Sequence, residues 1–224
     1  MTESYSSNDA RLLRAGIVAG VVFLGVSTVE IFARPGFDIM RHAISVLSLG
    51  ERGWLMVATF ILSGLLVLAC AMGLRRALPG SRWVPILIGL YGLGLILAGI
   101  FPAPPGMGFP PGTPDDQMPV MTPTAIIHSI AFMLAFGSLI AACFVLAPRL
   151  ADGWSAFSLT AGIVMPVLII IGMAGVIPPG IAFFIAAALG WIWLGAIALH
   201  LSSPADAPTP PAALTRAPGG THVL

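Results

Sequence analysis

Asp38, Arg41, His42 and Ser45 recur at three- and four-residue steps between two long apolar runs, in a chain of 224 residues of which only 8% are charged. A carboxylate, a guanidinium, an imidazole and a hydroxyl on that spacing could supply an acid/base group, a phosphate clamp and a nucleophile. Ionisable groups are costly beside lipid, which makes those kept there site candidates. Glu30, in the last turn of the first apolar run, and His128, about one turn into the fourth, complete the set. Each has a plainer alternative. Glu30 stands four residues before Arg34, the spacing of a structural ion pair. Residues 38–48 also fit an amphipathic connector whose polar side meets water and headgroups.

The elements that must position these groups are membrane helices. Hydrophobic residues make up 58% of the chain and its mean hydropathy is +1.00, against soluble averages of about 45 to 50% apolar and about 25% charged. A net charge of +1, with no basic run beyond Arg75-Arg76, excludes a nucleic-acid partner. A bilayer core takes about 20 apolar residues per helix. Six runs qualify, near 12–32, 54–74, 83–101, 124–146, 157–177 and 180–201. The alternation of barrel strands is absent, so the expected fold is all-α, a polytopic bundle of six transmembrane helices. A tail at 1–11 precedes the membrane domain at 12–201, and a Pro/Ala-rich tail at 202–224, with His222, is expected to be disordered. The first run is too long for a signal-peptide core and is expected to be retained. Cys70 and Cys143 lie within apolar runs, outside any ligand spacing, and are expected in the core. Trp54, Trp83 and Trp154 suit interfacial anchors, whereas Trp191 and Trp193 lie inside the last run.

The positive-inside bias places both termini in the cytoplasm. Arg11, Arg14, Arg75, Arg76, Arg82, Arg149 and Arg216 then lie inside, against Arg34, Arg41 and Arg52 outside, where Glu30, Asp38 and Glu51 can neutralise them. The outer loops are 33–53 and 102–123. In the first, Pro35-Gly36 marks a turn and Asp38 an N-cap, predicting a short amphipathic outer helix from Asp38. The second carries eight Pro, three Gly and the acidic pair Asp115 and Asp116. It cannot be helix, and Phe101, Met107, Phe109, Met118, Val120 and Met121 allow it to lie across the bundle mouth as an ordered cap. A faint repeat aligns Gly64, Cys70 and Arg76 with Gly137, Cys143 and Arg149 at an offset of 73 residues.

The stretch Gly36-Phe37-Asp38, then Arg41-His42-Ala43-Ile44-Ser45-Val46-Leu47-Ser48-Leu49-Gly50 and Gly53-Trp54, resembles the six-span bacterial and archaeal membrane proteins grouped as domain of unknown function 998. Gly99-Ile100-Phe101-Pro102 and His128 extend the resemblance, which covers about 15 to 200. It implies a fold and a membrane location, that of a bacterial plasma membrane, and no reaction. Members of that family often read Phe-Pro-x-Asp-Pro after the third span, and here Pro104 stands where the acid would be. If the family's site needs that carboxylate, Asp115 or Asp116 would have to replace it, or this member has lost activity.

Four functions follow from these residues. The first is an enzyme acting on a lipid or isoprenoid at the outer face, with Asp38, Arg41, His42, Ser45 and His128 as catalytic candidates and Glu30, Asp115 and Asp116 in support. His128, from a different helix, is a better base for Ser45 than His42. The second is a transporter or binding protein using the same cluster, although no charge lies near the middle of any span. A haem, quinone or metal protein with His42 and His128 as ligands is the third; no zinc spacing supports it and no cofactor is named by the sequence. The fourth is an accessory membrane protein without catalysis. The expected partners are the lipid bilayer and a lipid or small hydrophobic ligand.

Overall fold

A computed structural model describes residues 7–202. Six helices account for the apolar runs: α1 (Ser7–Ala33), α2 (Gly53–Ala77), α3 (Trp83–Ile100), α4 (Pro123–Leu146), α5 (Asp152–Met173) and α6 (Pro179–Ser202). No β-strand occurs among the described residues. Each helix is long and apolar enough to cross a membrane, and in lipid a helix satisfies its own backbone. Each packs on the next, and α6 returns to α1, so the six close into a ring.

Small residues set how closely the helices approach. A Cβ on Gly64 of α2 would lie 2.6 Å from the carbonyl oxygen of Gly92 in α3, and one on Gly92 would lie 2.8 Å from that of Gly64. Membrane helices associate largely through such backbone contact. Gly137, the repeat partner of Gly64, meets nothing within 4 Å. The two halves of the proposed repeat therefore pack differently at this position. Trp191 and Trp193 are buried as expected, and Trp193 Nε1 donates to Ser158 Oγ at 2.9 Å.

Three local structures differ from the sequence reading. Helix α1 begins at Ser7, inside the expected tail. Helix α5 runs from Asp152 to Met173 rather than to residue 177, because Gly175 at φ 69° closes it, with Gly175 N–H bonded to Gly172 O and Val176 N–H to Ile171 O. The short outer helix does not start at Asp38. Asp38 Oδ1 accepts from the Met40 N–H at 2.9 Å and stabilises a turn instead, and Ala43 is extended, so only a 3-10 helix over Ile44–Ser48 forms. Helix α4 follows the usual start: Thr122 Oγ1 accepts the Ala125 N–H and Pro123 occupies the first turn. Residues 1–6 and 203–224, with Arg216, His222 and most of the expected disordered tail, lie outside the described residues.

Candidate functional site

The connections α1–α2, α3–α4 and α5–α6 meet at one end of the ring, and the candidate site residues lie on them or in the adjoining helix turns. They divide into three groups. Glu30 belongs to the first. Its carboxylate is buried and takes two bonds from Arg34, at 2.9 Å from Nε and 2.6 Å from Nη2, and a third from Arg52. Arg34, also buried, donates in turn to the carbonyls of Leu49 (2.8 Å) and Leu47 (3.0 Å), closing the end of the 3-10 helix. The i, i+4 pair is therefore part of a network that anchors the first loop to α1, with every carboxylate oxygen of Glu30 engaged.

The second group is a loop junction. His42 is buried, its ring packed in a triangle with Phe37 (5.6 Å) and Phe109 (5.5 Å), which are 5.7 Å from each other. Its Nδ1 accepts the Asp38 N–H at 3.0 Å, which leaves the ring proton on Nε2 to be donated to the Met107 carbonyl at 2.9 Å. Both ring nitrogens are thus occupied by backbone. Met107, at φ 54°, holds a left-handed conformation unusual for a side-chain-bearing residue. Its N–H bonds Gln117 O at 2.7 Å, which ties the long loop to itself. Asp38 is exposed, and Arg41 reaches Asp115 O at 3.2 Å and its carboxylate at 3.8 Å. With Asp115 86% exposed, that pair contributes little. Asp116 is exposed as well. Of the loop's apolar residues Phe109 is buried, whereas Met118, Val120 and Met121 remain outside. The turn presses on α6: a Cβ on Gly180 would overlap the carbonyl oxygens of Ile39 and His42.

The third group lines a cavity of about 430 Å³ inside the ring, to which all six helices contribute. Of the candidates, Ser45 and His128 reach it. His128 Nδ1–H donates to Phe101 O at 2.8 Å, and the Ala98 backbone is a second hydrogen-bond partner of the ring. Two lining residues were not foreseen. Tyr91 and Trp191 are buried with ring centroids 5.3 Å apart, and Trp191 Nε1 has no hydrogen-bond partner among the described residues. They are polar atoms in mid-span aromatic residues, a signal the sequence does carry. Among the described residues no Asp, Glu or Arg lines the cavity. Its rim includes Met133 of α4 and Met173 of α5, which are 65% and 70% exposed.

Donors for a metal are not gathered: among the described residues no three of His, Cys, Asp and Glu converge. His42 and His128 each commit nitrogen to a backbone carbonyl. The all-helical ring of six apolar helices defines a multi-pass integral membrane protein. A family model described as protein of unknown function (DUF998) matches residues 17–200, and the chain belongs to that family. No curated protein and no solved structure matches it.

Proposed function

We propose that this protein binds an uncharged amphiphile of lipid or isoprenoid type in the ring cavity, admitted from the bilayer between α4 and α5. Binding sites for small molecules are concave and mostly apolar, of about 300 to 1,000 Å³, with a few polar groups that orient the ligand. The cavity has that size and composition. Met133 lies within α4 and Met173 closes α5, so both exposed rim residues belong to spanning helices. Methionine also suits a rim that must adapt to a flexible chain.

The observation that carries this reading is Trp191 Nε1, a buried donor without a partner in the cavity wall. Such a group costs about 1 to 3 kcal/mol, a cost that a ligand oxygen would remove. The imidazole of His128 and the hydroxyl of Ser45 add polar groups to the same wall, beside which a ligand hydroxyl can sit. Binding is favoured over turnover because Glu30 and His42 spend their polar atoms on the protein and Asp38 lies outside the cavity lining. The positive-inside bias supports an orientation with the long-loop end outside.

A long-chain alcohol carrying a diazirine, reconstituted with the protein in vesicles and photolysed, tests this. Label is expected on cavity-lining residues of 128–136 and 183–191. Label confined to outward residues such as Val21 and Phe32 would overturn the reading.

A further inference from the structure

At the opposite end of the ring, three arginines share a cleft with a buried hydroxyl. Helix α2 closes with Arg75 and Arg76 in its last turn, the chain turns through Leu78–Arg82, and α3 begins at Trp83. Arg76 is engaged by Asp9 at 2.6 Å. Arg75, Arg82 and Arg149 line a cleft of about 490 Å³ and have no carboxylate partner among the described residues. Arg149 is brought across from the α4–α5 connection by a 3.3 Å bond to Gly80 O. Arg82 is held with its guanidinium carbon 5.3 Å from the ring centroid of Trp83.

The cleft also contains an unexplained polar atom. Ser81 is 5% exposed and lines the cleft, yet its Oγ has no partner among the described residues. The N-terminus of α3 beside it lacks a side-chain cap. A buried hydroxyl, an uncapped helix start and three uncompensated guanidinium groups share one complement, a compact anion with several oxygens. We propose that this cleft binds a phosphate group, either the headgroup of an anionic phospholipid or a soluble phosphate. Tetrahedral oxygens can take bonds from Ser81 and from more than one arginine at once, which a planar carboxylate does less well.

Native mass spectrometry of the full chain in a nonionic detergent tests this, with phosphatidylglycerol and a galactosyl diacylglycerol of the same acyl chains at equal ratio. The phosphatidylglycerol adduct is expected to be retained preferentially. Arg82→Gln, which breaks no hydrogen bond within the described residues, should cut that preference about tenfold, as loss of one charge-assisted hydrogen bond implies. Ser81→Ala with Arg149→Gln should abolish it. Displacement by excess inorganic phosphate would assign the site to the phosphate group alone, and retention against it would assign a lipid headgroup. Equal retention of the two lipids without phosphate binding would overturn the proposal, as would a preference unchanged in both variants.

Discussion

His42 and Met107, 65 residues apart in sequence, are joined by a 2.9 Å hydrogen bond from the ring Nε2 to the carbonyl oxygen. Through it the loop between α1 and α2 holds the proline-rich loop between α3 and α4, with Phe109 packed against the same ring. The histidine of the Asp38–Ser45 cluster, a catalytic candidate in the sequence, thus joins two loops. His42→Ala removes two hydrogen bonds and the ring contacts, a loss of about 2 to 4 kcal/mol by analogy with buried polar and large-to-small changes. Thermal unfolding in detergent should show it, and limited proteolysis should cut within 102–122, where the parent protein resists. Unchanged melting and proteolysis would remove the joint.

Glu30 behaves as a structural anion between Arg34 and Arg52. Glu30→Gln leaves the buried Arg34 without its countercharge, at a cost of about 3 to 5 kcal/mol. Replacing Glu30 and Arg34 together by Leu and Met removes the stranded charge as well and should be milder than Glu30→Gln alone, by the same melting measurement. A double variant that is worse than the single would contradict this.

Gly180 offers a test in which two effects oppose. Helix propensity alone makes Gly→Ala stabilising by about 1 kcal/mol. A Cβ here overlaps the carbonyls of Ile39 and His42, so Gly180→Ala is expected to destabilise by about 1 to 3 kcal/mol instead. A higher melting temperature would show that the turn does not seat on α6.

The six helices were legible because runs of about 20 apolar residues are rare outside membrane-spanning segments. The polar cluster was harder to read. A three- and four-residue spacing suits a helix, but Asp38 uses its carboxylate on the Met40 N–H and makes a turn that places Asp38 and Arg41 outside and His42 inside. Spacing does not reveal that choice, which depends on Phe109 and Met107 arriving from the distant loop. Nor does it reveal which mid-span aromatics face the ring interior: Tyr91 and Trp191 sit within apolar runs, yet both side chains line the cavity. The Glu30 and Arg34 pairing was visible from their four-residue separation, whereas the Arg52 contact, 22 residues away, was not.

The ring cavity is the centre of the functional proposal, and Ala131, fully buried in its wall, is the place to fill it. The direct measurement is native mass spectrometry of the protein purified from its own membranes, compared with Ala131→Phe. The parent protein should carry a neutral amphiphile that the filled variant lacks, while both insert in the membrane and melt alike to within about 1 to 3 kcal/mol of overpacking cost. An amphiphile bound equally to both, or to neither, would contradict binding in the cavity.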